Sequence, residues 1–134
     1  MDREAGEHFE RILKLARSRF SDVCIVSRDI SSKRAILKIR CRYQKYLISV
    51  SEILAEQTRW YSYYLLDEGR VQLGLDNFSD RLALRLKYGA EFTQHLDEPV
   101  PHLHTQDKQH LELTEEKTFT HFVGLALGLR GEVE

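Results

Sequence analysis

His102 and His104 stand two residues apart in Pro101-His102-Leu103-His104. On an extended backbone side chains alternate with period two, so both imidazoles face the same side. Two neighbouring imidazoles can divide the acid and base roles of one reaction near neutral pH, or ligate one metal ion together. Upstream lies Asp76-Asn77. A carboxylate there can orient an imidazole, setting its tautomer and raising its basicity. Asp and Asn at the end of a strand also form Asx turns for purely structural reasons. Pro99 and Pro101 hold the backbone before the histidines extended and suit an edge strand, where two partly exposed histidines need have no function.

Two further groups bear on the same chemistry. Tyr61 and Tyr63 share one face of a strand; Trp60, Ser62 and Tyr64 share the other. Such aromatics ordinarily fill half-buried sheet positions, with the hydroxyl reaching water. The functional reading is a stacking platform for bases of single-stranded RNA, with a tyrosine hydroxyl near the scissile phosphate. Arg34, Lys38, Arg40 and Arg42 place four cations on one strand face with no carboxylate among them. A solvated sheet face is the simplest account; phosphate is the alternative, because like charges on one face repel unless something compensates them.

Metal chemistry is the rival use of the histidines. His95, His110, Asp107 or Asp76 could supply a third ligand, and spacing does not choose among them. The chain has no HExxH element and no cysteine cluster. It also lacks a phosphate-binding glycine loop and a GxSxG element, which argues against a nucleoside-triphosphate enzyme or an α/β-hydrolase.

The elements that must carry these residues are read from periodicity. Phe9, Ile12, Leu13, Ala16 and Phe20 recur at helical spacing with Arg11, Lys14 and Arg17 turned outward, which predicts an opening amphipathic helix. Asp22 to Arg28 predicts a short strand, and Ile30 to Lys33 a hairpin loop. Ala35, Leu37, Ile39, Cys41 and Tyr43 then alternate with the four cations. Tyr46 to Ile53 and Arg59 to Leu66 continue as strands after Gln44-Lys45 and Glu56-Gln57. Asp67-Glu68-Gly69 supplies a turn into a strand bearing Val71, Leu73 and Leu75. Five strands with short links make an antiparallel meander.

Arg81 to His95 fits both periods, but its length and its helix formers favour a helix capped by Ser79 or Asp80. A last helix is expected from near Thr114, burying Phe119, Phe122, Val123, Ala126 and Leu127 and ending at Gly128 and Gly131. The expected architecture is one domain over 1–134 of α+β class. It would be an antiparallel five- to six-stranded meander sheet packed against N- and C-terminal helices.

Bulk composition narrows the class. With 134 residues, 42% hydrophobic and 31% charged, the chain can bury one core and is ordinary for a soluble globular protein. Its apolar runs are too short to cross a bilayer, and Met1-Asp2-Arg3-Glu4 is a poor secretion signal, so the cytoplasm is expected. Cys24 and Cys41 are too few and too far apart for a zinc module and read as reduced core thiols, with a cross-strand disulfide as the alternative. The net charge of −1 hides an asymmetry. Arg28 to Lys45 is basic and able to meet a polyanion; Asp97 to Glu116 is acidic and able to meet a basic partner.

The run Tyr61-Ser62-Tyr63-Tyr64-Leu65-Leu66, then Gly69, Leu75-Asp76-Asn77, Pro101-His102-Leu103-His104 and a closing helix resembles the TumE family. These are small prokaryotic proteins described as the toxin halves of toxin–antitoxin pairs. The resemblance covers roughly the second half of the chain and falls on Tyr61 and Tyr63, Asp76 and Asn77, and His102 and His104. Leu75 stands where the family usually has Tyr before Asp-Asn, and the segment between Asn77 and His102 is longer than in compact members.

Residues and resemblance together lead to one expectation: a toxin-like component acting on RNA as a small metal-independent endoribonuclease. His102 and His104 would share the acid and base roles, Asp76 would orient one of them with Asn77 beside it, and Tyr63 would donate to the phosphate. Arg34, Lys38, Arg40, Arg42 and Tyr61 would bind the RNA. RNA and a cognate antitoxin protein are the expected partners, with room for a homodimer and with no membrane, metal or cofactor. The alternatives are a non-catalytic protein-binding module and a metal-dependent hydrolase using the same histidines.

Overall fold

The computed structural model describes residues 2–133, with side chains over 3–128. Helix α1 (Asp2–Arg19) leads into β1 (Ser21–Ile30), β2 (Arg34–Tyr43), β3 (Tyr46–Ala55), β4 (Thr58–Asp67) and β5 (Arg70–Asp76). Helix α2 (Arg81–Tyr88) passes into a 3-10 segment, Gly89–His95, before β6 (His102–Thr105), β7 (His110–Leu113) and α3 (Phe119–Val133). The seven strands form one open sheet in sequence order, every neighbour antiparallel. The class is α+β. No helix among the described residues is long and apolar enough to cross a membrane.

Three hairpins, from β2 through β5, close in two residues, and each of these loops begins with a residue in the left-handed region. Gln44 (φ 55°), Glu56 (φ 45°) and Glu68 (φ 51°) take that position, with Gly69 (φ 82°) following the last. Such two-residue turns match the right-handed twist of the strands they join.

The sheet has two unlike faces. One packs against α1 and α3: Phe9, Ile12 and Leu13 meet Leu37, Ile39, Ile48, Val50 and Leu65, with Phe119, Phe122 and Val123 closing the far side, all of them buried. The other face is covered only toward β6 and β7, where Ala83 and Leu84 of α2 pack on Val100 with Tyr88, Phe92 and Leu111 around them. Across β2 to β4 it stays open.

Several expectations change. The sheet has seven strands, because β6 and β7 hold four residues each, too few for alternation to stand out in the sequence. The histidines lie on the penultimate strand, with β7 as the edge. Only Arg81–Tyr88 is α-helical in the ambiguous segment, capped by Asp80, whose side chain accepts from the Ala83 backbone N–H. Gly89, at φ 64°, ends that helix. Helix α3 starts at Phe119 rather than near Thr114 and runs on past Gly128. Cys41 is a buried free thiol, its pKa pushed up to about 12 by burial, but Cys24 is an exposed free thiol on the outer strand rather than a core residue.

Candidate active site

Register decides which side chains share the open face. Lys38 pairs with Ser51, Ser51 with Ser62, Ser62 with Asp76 and Asp76 with His102. One row over, Arg40 pairs with Ser49, Ser49 with Tyr64, Tyr64 with Gly74 and Gly74 with His104. The two histidines and two of the cations therefore lie at opposite ends of the same two rows. Four strand spacings separate them, roughly 19 Å. Arg34 and Arg42 extend the basic row along β2, and all four cations are exposed.

The centre of the site is Asp76, which is 6% exposed. It accepts hydrogen bonds from the Tyr64 hydroxyl and, at 3.0 Å, from the Phe78 backbone N–H. His102 Nε2 lies 3.1 Å from Asp76 Oδ1 and His104 Nε2 lies 3.9 Å from Asp76 Oδ2. His102 Nδ1 donates to the Val100 carbonyl at 2.6 Å. Both of its ring nitrogens thus face acceptors, an arrangement satisfied by the doubly protonated imidazolium. The rings of His102 and His104 meet edge to face, with centroids 4.7 Å apart.

The two histidines are pushed in opposite directions. Burial pulls His102 down, but the hydrogen bond and charge of Asp76 outweigh it and leave the group above its ordinary value. Burial also pulls His104 down, and the neighbouring His102 cation pulls it further, leaving it below its ordinary value. Burial raises the Asp76 carboxyl, yet the hydrogen bonds from His102 and Tyr64 win and hold it below the usual carboxylate range. Burial and the Asp76 charge push the Tyr64 hydroxyl strongly up, so it stays protonated and donates. The Nδ1 atom of His104 is buried without a hydrogen-bond partner.

Gly74 makes this packing possible. A Cβ there would sit 2.3 Å from Tyr64 Cε1. With glycine in place, the Tyr64 ring lies across β5 and stacks toward His104, with centroids 6.2 Å apart. Lys108 reaches the same spot, its ammonium 5.2 Å from the Tyr64 ring centre. Its loop is tied down by Asp107, whose backbone N–H donates to the Val71 carbonyl and whose side chain accepts from the Val71 N–H. Tyr64 and Lys108 were not among the site residues expected from sequence. The alternation of β4 separates Tyr64 from Tyr63, but says nothing of which face meets the histidines.

Tyr61 and Tyr63 lie on the other face. Val50 pairs with Tyr63, and Tyr63 with Leu75; both tyrosines are fully buried. The Tyr63 ring packs on Phe119 and Phe122 of α3, so neither tyrosine adjoins the histidine face. Asn77 is a structural residue: its side chain accepts from the Tyr61 N–H and donates to the Arg59 carbonyl, both at 2.8 Å, continuing the ladder beyond β5. Its own carbonyl accepts from the Val100 N–H, and the Val100 carbonyl in turn holds His102.

A second polar cluster occupies the core face. Glu52, 1% exposed, accepts from the Tyr63 hydroxyl, lies 2.6 Å from His8 Nε2 of α1 and pairs with Arg59 Nη1 at 3.2 Å. Arg59 also donates to the Lys117 carbonyl and lies over the Tyr61 ring. The signal for it is Glu52 itself, a carboxylate at an inward position after Ile48 and Val50.

Asp76, His102 and His104 also form a donor set for a metal ion, one ligand atom from each lying within 4.8 Å of the others. No family model, curated protein or solved structure matches the chain.

Proposed function

We propose that this chain is a toxin-like component of a toxin–antitoxin pair that cleaves RNA on the open face of its sheet without a metal ion. One observation carries the reading. A His pair around one carboxylate, His102 held up by its hydrogen bond to Asp76 and His104 held down by burial and the His102 charge, sits in the same transverse rows as a basic strand. Groups whose environments separate their protonation in this way are suited to divide acid and base work.

In this reading His104, neutral at physiological pH, takes the proton of a ribose 2′-hydroxyl. The 2′-oxygen attacks phosphorus and the bond to the 5′-oxygen breaks, leaving a cyclic phosphate. The departing 5′-oxygen takes the proton held between His102 and Asp76. Tyr64 and Phe78 N–H hold the carboxylate in place. Lys108 lies closest to the developing phosphorane charge, and Lys38 and Arg40 bind the strand farther along. The resemblance of Tyr61 to Leu66, Asp76-Asn77 and His102/His104 to TumE proteins supplies the toxin–antitoxin part.

The test is expression with and without the neighbouring gene, reading growth and total RNA integrity, followed by cleavage assays on purified protein in excess chelator. Cleavage that persists in chelator and disappears in His104→Ala supports the reading. Intact RNA during growth arrest, or no arrest at all, defeats it.

A second reading rests on the donor set. His102 Nδ1 is held by a backbone carbonyl, the way metal-bound imidazoles are commonly oriented, and a divalent ion could take the place of the proton facing Asp76. Loss of cleavage in chelator with recovery on adding zinc or manganese would select a metal-dependent hydrolase instead.

A further inference from the structure

Between the basic strand and Phe78 the open face is hollowed into a depression of about 340 Å³ that runs from β1 to β4. Its floor carries Ser49, Ser51 and Ser62, three small residues at adjacent positions on two central strands. Strand interiors favour β-branched and aromatic side chains, so three serines together leave a gap where side-chain volume would normally stand. One wall is Lys38 and Arg40. The other is Phe78, 41% exposed, its ring held edge to face by Trp60 at 5.8 Å.

The depression reaches toward the histidine site through Ser62. Ser62 pairs directly with Asp76, one strand spacing away, about 4.8 Å. The Phe78 backbone N–H donates to the Asp76 carboxylate, so the aromatic wall and the site share one tether. A hollow with an aromatic face, hydroxyl donors and acceptors on its floor and cations at its rim has the parts that bind an unpaired base beside its phosphates.

We propose that this depression is the subsite for one unpaired nucleobase of an RNA strand. Phe78 supplies the stacking face, Ser51 and Ser62 bond the base edge, and Lys38 and Arg40 take the flanking phosphates. The inference rests on the RNA reading above and adds to it the part of the substrate that the chain reads.

The experiment compares binding of two short 2′-O-methyl oligonucleotides of equal length and charge, one with bases throughout and one with a central abasic position. The methyl group blocks 2′-attack, so binding is measured apart from cleavage. Trp60, the chain's one tryptophan, gives a local signal beside Phe78, and anisotropy of a labelled strand gives affinity. The base-bearing strand should bind roughly 10-fold more tightly, the usual worth of one stacked base, and should change Trp60 emission. Phe78→Ala should remove that advantage. Ser62→Val, which fills the floor with a strand-favouring side chain, should remove it as well while keeping the fold.

Equal binding of the two strands, or an advantage that survives both variants, overturns the proposal. Base-dependent binding without cleavage of unmodified RNA upholds the subsite and removes the catalytic reading. Cleavage with base-independent binding does the reverse.

Discussion

Among the described residues two carboxylates are buried, each with histidine and tyrosine around it, and they differ in how completely they are satisfied. On the core face, Glu52 is met by a guanidinium, a hydroxyl and an imidazole, and Arg59 spends its remaining donors on Lys117 and Glu116. Charges and hydrogen bonds there close on themselves, which is what a buried ion pair needs to be stable. On the open face, Asp76 serves two histidines, and a buried nitrogen of His104 has no partner. A buried polar atom left unpaired costs about 1–3 kcal/mol. The first cluster ties α1 and the approach to α3 onto the sheet; the second keeps unused bonding capacity beside a basic surface. Residue type alone therefore does not distinguish a structural polar cluster from a reactive one, whereas the balance of donors and acceptors does.

The largest expected effect separates the two clusters by activity. His104→Ala should lower RNA cleavage by on the order of 10²–10⁴-fold, measured as the rate of the folded fraction with melting on the same preparation. The buried ring also packs on Tyr64 and His102, so its loss costs some stability. An unchanged rate would remove His104 from the chemistry. The rate against pH should be bell-shaped. Its acid limb lies below the ordinary histidine value of about 6.5, where His104 becomes protonated; its alkaline limb lies above it, where His102 loses its proton.

Stability follows the same shifts. The part due to the raised His102 is present in full below about 6.5 and is lost as pH rises through its folded value. The lowered His104 costs stability as pH falls from about 6.5 through its own folded value. The His102 contribution should vanish from denaturant melts in Asp76→Asn, and its persistence there would assign it to another group.

Next in size, Glu52→Ala should destabilise the fold by about 3–5 kcal/mol, because it strands Arg59 with an uncompensated charge. Denaturation should show the loss, while the cleavage rate of the remaining folded protein stays near wild type. A matching loss of rate would mean that the core-face cluster belongs to the chemistry.

A smaller effect is expected at Gly74. Gly74→Ala forces the Tyr64 ring aside, at about 1–3 kcal/mol of overpacking strain. It should also lower the rate by freeing Asp76 from the Tyr64 hydroxyl, and Tyr64→Phe should reproduce the rate loss without the strain. Parallel loss of stability in both would reassign Tyr64 to packing alone.

The smallest effect concerns the basic strand. Changing Lys38 and Arg40 to Ala should leave the fold intact and flatten the dependence of log affinity on log salt by roughly 1.4, about 0.7 for each phosphate of a single strand no longer neutralised. An unaltered slope would leave those cations as a solvated face.

Much of this was legible in the chain. The helical spacing of Phe9, Ile12 and Ala16 and the alternation of Leu37 and Ile39 against Lys38 and Arg40 are local patterns, and the structure turns the apolar members inward accordingly. The two-residue loops at Gln44-Lys45, Glu56-Gln57 and Glu68-Gly69 could be placed because the strands around them are long. Helix α3 was harder: Thr114 to Thr118 contains good helix formers, but the Lys117 N–H is taken by the Tyr61 hydroxyl and the Lys117 carbonyl by Arg59. These are tertiary partners that no local pattern displays.

By itself, then, the sequence determined which residues share a face within each strand, since that follows from the period of the backbone. It placed His102 with His104, Tyr61 with Tyr63, and the four cations of β2 together. It could not determine which of those faces meet, because a shift of one residue between neighbouring strands exchanges every inside for an outside. That choice was made by the pairing of Ser62 with Asp76 and of Asp76 with His102. It put Tyr64 rather than Tyr63 beside the histidines, and it depended on Gly74 leaving room for the ring.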